Sequence, residues 1–155
     1  MIAVDSNLLV YAHRTDSPWH RAARGCLRPL VEGQAPWAIP WPCVCEFVGI
    51  VTHPRIYRPP TAVDEALAQV DVLMASPALV ALSEGGDHWP ALREVLRFSR
   101  ASGPKVHDAR VAALCLHHGV SELWTADRDF SRFPRLKTRN PLLEWSEAGP
   151  EDTPE

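Results

Sequence analysis

Met1-Ile2-Ala3-Val4-Asp5-Ser6-Asn7 opens the chain. Ile2, Ala3 and Val4 make a short apolar run of the kind that forms a buried strand, and a carboxylate followed by two small polar residues closes it. A charge at the edge of an apolar core needs a hydrogen-bond donor, a cation or a metal beside it. Capping of the next helix by Asp5 or Ser6 is one answer. Whether it is the whole answer depends on which other residues reach the same place.

Outward from this stretch, strands and helices alternate. Leu8, Leu9, Tyr11 and Ala12 continue at helical spacing, and Ser17-Pro18 opens a second helix by the N-cap and N1-proline rule. Ala35 to Pro40 is a brief strand between prolines, and Pro42 starts a helix through about Thr52, apolar all round and therefore expected to be buried, with Glu46 its only charge. Thr61 should cap a helix from Ala62 to about Ala75, with an apolar stripe through Val63, Ala66, Leu67, Val70, Leu73 and Met74. Leu79 to Leu82 is a third strand, and Asp87 should cap the following helix. Ser102-Gly103-Pro104 breaks the chain before a helix of small apolar residues from about His107 to His118, ended by Gly119, with Asp108 in its first turn. Glu122 to Thr125 is a fourth strand, Ala126 to Phe130 the turn after it, and Leu136-Lys137-Thr138 a fifth. From Ser146 to Glu155 the chain is acidic, proline-containing and core-free, the composition of a disordered tail.

Such alternation implies a parallel sheet covered on both faces, with ligands bound outside the carboxyl ends of its strands. At 155 residues the chain is long enough for one domain with a real core. Cys26, Cys43, Cys45 and Cys115 read as reduced, buried thiols, because three of them lie in apolar segments rather than in a loop-rich disulfide framework, and Cys43-x-Cys45 lacks the two-residue zinc-knuckle spacing with no second pair to answer it. No apolar run approaches a membrane span, so the protein is expected in the cytoplasm. A net charge of −3 argues against nucleic-acid binding by bulk charge but leaves room for a local basic surface.

Four acids then share one end of the sheet. Asp5 follows the first strand, Asp127 the fourth, Asp108 opens the helix leading into the fourth, and Glu46 lies on the helix after the second. Singly, each has a structural explanation as a cap, a turn residue or a buried partner for an arginine. Jointly they would repel unless a cation offset them. A hard divalent ion with oxygen ligands does so, and the corresponding chemistry is phosphodiester hydrolysis.

Val4-Asp5-Ser6-Asn7, Glu46 in its apolar helix, Val106-His107-Asp108-Ala109-Arg110 and Leu123-Trp124-Thr125-Ala126-Asp127-Arg128-Asp129-Phe130 resemble the acidic motifs of PIN-domain nucleases, specifically VapC-type toxins of bacterial toxin–antitoxin systems. The resemblance spans residues 1 to about 140. It implies an α/β fold, a PIN-like three-layer α/β/α arrangement with a short, mostly parallel twisted sheet, over a single domain at 1–145. It also implies a Mg²⁺- or Mn²⁺-dependent endoribonuclease, a homodimer with an RNA substrate, held inactive by a VapB-like antitoxin. Asp5, Glu46, Asp108 and Asp127 correspond to the catalytic, metal-binding acids and Asp129 to a further acidic flanker on the metal. Thr125, Ser6 and Asn7 would support them.

Single-stranded RNA needs cationic and stacking groups around such a pocket. The candidates are His13 and Arg14, Arg55 and Arg58 beside Tyr57, Lys105, His107, Arg110 and Arg128. Two other functions fit the pattern less well. A catalytically inactive RNA-binding or regulatory module of the same fold would bind RNA regardless of metal. A phosphohydrolase or phospho-accepting receiver would need an Asp-x-Asp pair after the first strand or a lysine after a late one.

Overall fold

β1 (Ile2–Val4) is three residues long, yet Ala3 and Val4 are wholly buried because both of its edges are paired. On one side Ile2 and Ala3 lie opposite Trp37 and Ala38 of β2 (Trp37–Pro40), and on the other Ile2, Ala3 and Val4 lie opposite Glu122, Leu123 and Trp124 of β4 (Glu122–Trp124). β3 (Leu79–Leu82) flanks β2 and β5 (Thr138–Arg139) flanks β4, giving the order β3-β2-β1-β4-β5 with every pairing parallel. Here the structure is a computed structural model, and it describes residues 1–148.

Parallel strands need crossovers, and helices supply them. α1 (Ser6–His13) and α2 (His20–Glu32) join β1 to β2; α3 (Trp41–Val51) and α4 (Val63–Met74) join β2 to β3; α5 (His88–Ser99) and α6 (Lys105–His117) join β3 to β4. The result is the α/β/α arrangement expected from the alternation. α6 buries Ala109, Val111, Ala112, Ala113, Leu114 and Cys115, and its small side chains let it sit close against its neighbours. The chain builds outward from β1 on one side and then returns to its other side. The carboxyl ends of β1 and β4 therefore diverge into adjacent connections, which opens a crevice between them.

Several local expectations shift. Ser17 and Pro18 form a turn, and α2 begins at His20. Thr61 does not cap α4; it is buried, and its hydroxyl oxygen accepts from Arg14 at 3.2 Å. Val63 and Leu67, expected in the apolar stripe, are exposed. Asp87 stands at the N-cap of α5 without a side-chain cap bond, 3.4 Å from His117 instead. β5 starts at Thr138 because Leu136 turns into the core, its N–H bonded to the Phe133 carbonyl at 2.9 Å.

α7 (Pro141–Ala148) packs against α2 and was not anticipated; it runs three residues into the segment expected to be a disordered tail, and 149–155 lie outside the described residues. All four cysteines are free, but only Cys43 and Cys115 are buried; Cys26 is half-buried and Cys45 exposed. α3 is likewise not buried all round, since Cys45, Glu46 and Gly49 line an open face. Among the described residues no helix is long and apolar enough to cross a membrane.

Candidate active site

Asp5 ends β1 and caps α1, its Oδ1 accepting the Ser6 N–H at 2.8 Å. Capping is part of the answer to its placement, and it uses one of several donors. Asn7 Nδ2 and Thr125 Oγ1 donate to Oδ2 at 2.8 and 2.7 Å, and the Cys43 thiol faces Oδ1 at 3.5 Å. Burial pushes the Asp5 carboxyl above its ordinary value, the bonds from Thr125 and Ser6 pull it back, and the nearby Glu46 charge raises it again. A carboxylate with four donors and almost no exposed surface is rigidly aimed.

Thr125 is the hinge of this arrangement. Its hydroxyl donates to Asp5 while accepting from Asn7 Nδ2 at 3.1 Å and from the Asp127 N–H at 3.0 Å, and Asn7 Oδ1 accepts the Ala126 N–H at 3.1 Å. The carboxyl ends of β1 and β4 are thereby stitched together. Thr125→Val keeps the shape but removes a donor from a buried carboxylate and an acceptor from two N–H groups. It should destabilise the fold by about 2 kcal/mol, measured by chemical denaturation, and raise the Asp5 carboxyl further.

Ser6 supports two acids, Asp5 through its N–H and Glu46 through its hydroxyl. Its hydroxyl bonds Glu46 Oε2 at 2.6 Å, whereas its distance to Asp5 Oδ1 is 3.5 Å, so Ser6 links the two acids. Asp127 caps a 3₁₀ turn (Arg128–Arg132) by accepting the Asp129 N–H at 2.8 Å. Carboxylate oxygens of Asp108, Asp127 and Asp129 lie within 4.8 Å of one another. Burial raises the Asp108 carboxyl; Lys105 opposes this, and Asp127 and Asp129 add to it.

These groups face one cleft of about 790 Å³. Asp5, Ser6, Asn7, Glu46, Asp108 and Asp127 line it, with His107 and Arg110 among the expected basic groups. Arg110 is also ion-paired with Glu84. Asp129 stands beside its acidic end, bonded to Lys105.

The remaining basic candidates are not among the lining residues. Arg14 pairs with Asp16 at 2.6 Å and stacks 4.2 Å above the Tyr57 ring, tying the loop after α3 to α1. His13 lies 3.2 Å from the Thr61 hydroxyl, while Arg55, Arg58 and Arg128 are exposed outside the cleft lining. Tyr11, Pro42, Cys45 and Ile50 form an apolar side of the cleft that the charge pattern does not reveal. Their periodicity resembles that of core positions.

Hard oxygen donors converging at this spacing suit a small divalent cation, and the Lys105 ammonium already seeks the same place. The PIN domain family profile matches residues 2–136. The chain is a PIN domain. Among curated relatives, the VapC ribonuclease Mb2897 of Mycobacterium bovis is 39% identical over 142 residues, covering 92% of this chain and 96% of the relative. Ribonuclease VapC48 of Mycobacterium tuberculosis is 30% identical over 138 residues, covering 89% and 95%. This PIN domain therefore groups with the VapC ribonucleases. A solved structure, VapBC2 from Rickettsia felis bound to a DNA fragment from their promoter, shares the fold at 17% identity and a TM-score of 0.62, covering 90% of this chain and 98% of that one.

Proposed function

We propose that this PIN domain is a Mg²⁺- or Mn²⁺-dependent endoribonuclease, acting in the cytoplasm as the toxin of a toxin–antitoxin pair. The convergence of Asp5, Glu46, Asp108 and Asp127 on one cleft, with Asp129 beside its acidic end, carries the proposal, together with relatives named as VapC ribonucleases. Asp108 and Asp127 would hold a divalent ion, with Asp129 beside them and Asp5 and Glu46 as further acids of the same cleft. When bound, such an ion supplies an activated water and charge stabilisation on the phosphodiester oxygens.

The chain's own groups do the rest. Thr125, Asn7 and the Ser6 N–H aim Asp5 and offset part of the cost of burying its charge, and Ser6 Oγ fixes Glu46. Arg110 and His107 border the cleft where RNA phosphates would lie, and the Tyr11 side offers a surface for a base. A VapB-like antitoxin and a homodimeric assembly are the partners proposed, by analogy with the VapBC2 neighbour for the antitoxin.

Purified chain incubated with total RNA should give discrete fragments in Mg²⁺, none with excess chelator, and the same fragments once Mn²⁺ in excess of chelator is added back. RNA binding that chelator leaves unchanged, with no fragments at any metal concentration, would instead establish the inactive binding module.

A further inference from the structure

Arg110 lines the acidic cleft, yet it makes its ion pair with an acid that does not. Asp5, Glu46, Asp108 and Asp127 border the same space, and among the described residues the guanidinium pairs with none of them. It donates instead through Nε to Oε1 of Glu84, in the loop between β3 and α5. The charges that act most on Asp108, two residues before Arg110, are Lys105, Asp127 and Asp129. Glu84 therefore takes a guanidinium that Coulomb attraction would otherwise deliver to the cleft acids.

The loop that carries Glu84 is fastened to α6 and to itself. His118 Nε2 lies 3.0 Å from the Ser83 carbonyl oxygen, His117 Nε2 lies 3.4 Å from Asp87 Oδ2, and the His88 N–H donates to the Gly85 carbonyl at 3.0 Å. His88 Nε2 also lies 3.6 Å from the same Glu84 Oε1 that accepts from Arg110. That imidazole is buried, and neither of its ring nitrogens has a hydrogen-bond partner among the described residues. The carboxylate is thus an anchor of fixed position. Its bond from Arg110 holds it below its ordinary value, so the pair stays ionised at neutral pH.

Attachment through Nε leaves the far end of the guanidinium unused. Nη1 and Nη2 of Arg110 have no protein partner among the described residues, and two such parallel donors suit a phosphate bidentately. A guanidinium pinned in place has less freedom to lose when it binds. Resting on the reading of this cleft as an RNA site, we propose that Glu84 is a positioning residue: it holds Arg110 by Nε, clear of the cleft acids, so that Nη1 and Nη2 meet an RNA phosphate.

The test is binding of a fluorescently labelled, mixed-sequence single strand of RNA to the full chain in Ca²⁺, read by anisotropy over a range of salt. If Glu84 acted only by its charge, removing it would tighten the binding of a polyanion. Positioning gives the opposite sign. Glu84→Ala should bind about three- to fivefold more weakly, and its slope of log affinity against log salt should fall toward that of Arg110→Ala, which loses about 0.7. Glu84→Gln keeps an acceptor for Nε and should recover most of the loss. In an Arg110→Ala background, Glu84→Ala should cost nothing further. Coincident circular-dichroism melts establish that the variants are folded. Binding by Glu84→Ala as tight as wild type or tighter, an Arg110→Ala chain that binds like wild type, or a Glu84→Ala loss that persists without Arg110 overturns the proposal. A wild type that binds no RNA overturns it together with the RNA reading. Wild type that binds RNA but makes no fragments in Mg²⁺ or Mn²⁺ refutes the catalytic reading alone, and the sign of the Glu84→Ala effect still decides the role of Glu84.

Discussion

Asp5→Asn should cut RNA cleavage by at least about 10²–10³-fold while melting no lower than wild type at neutral pH in chelator. The activity loss follows from removing the charge that four donors aim into the cleft. The stability expectation follows from the raised Asp5 carboxyl, whose largest cause is burial. A raised acid binds its proton more tightly in the folded chain than in the unfolded one. Its contribution favours the fold below the ordinary carboxylate value of about 3.9 and is lost as pH rises through the raised folded value. Asparagine carries no such charge and keeps the shape of the side chain, so the cost of burying the ionised form disappears with it. The stability of Asp5→Asn relative to wild type should therefore increase from about pH 4 to 7. Melting curves of both proteins across that range check the sign, and a gap that moves the other way would mean that Asp5 is stabilised by its charge.

Asp108→Asn should lose cleavage to a similar extent, about 10²-fold or more, and with it the stabilisation that a bound ion confers. In wild type, Mn²⁺ at a hundredfold its dissociation constant should add about 2.7 kcal/mol to folding stability. Asp108→Asn should show almost none of this. In chelator the order reverses: the Asp108 carboxyl is raised first by burial and then, against the pull of Lys105, by Asp127 and Asp129. Removing it relieves repulsion, so the metal-free variant should be the more stable of the two. Denaturant midpoints measured with and without Mn²⁺ give both comparisons, and an equal response to Mn²⁺ in the two proteins would remove Asp108 from the ion's surroundings.

The features that were legible in the sequence are the local ones. Ile2-Ala3-Val4 is apolar enough to be a central strand and Asp5 marks its end, while small residues after Asp108 mark a helix packed close on its neighbours. Acids at the ends of elements could be assigned to one edge because parallel alternation brings those ends together. Contacts between distant residues were not legible. Arg14 resembles a free basic group until Tyr57 and Asp16 are seen to hold it, and Lys105 resembles one until the turn after β4 brings Asp129 to it across 24 positions. The exposed face of α3 escaped notice because Cys45 and Gly49 give no polar signal on either side of Glu46. α7 escaped because a short helix docked on α2, with Leu142 buried and Leu143 and Trp145 exposed, carries little periodicity to detect.

The central claim is that the acids of this cleft cut RNA with a divalent ion, and mapping of new 5′ and 3′ ends in total RNA tests it most directly. Wild-type chain in Mg²⁺ should generate a reproducible set of internal ends that disappears both in chelator and with Asp108→Asn. The same ends persisting in chelator, or produced equally by Asp108→Asn, would contradict it.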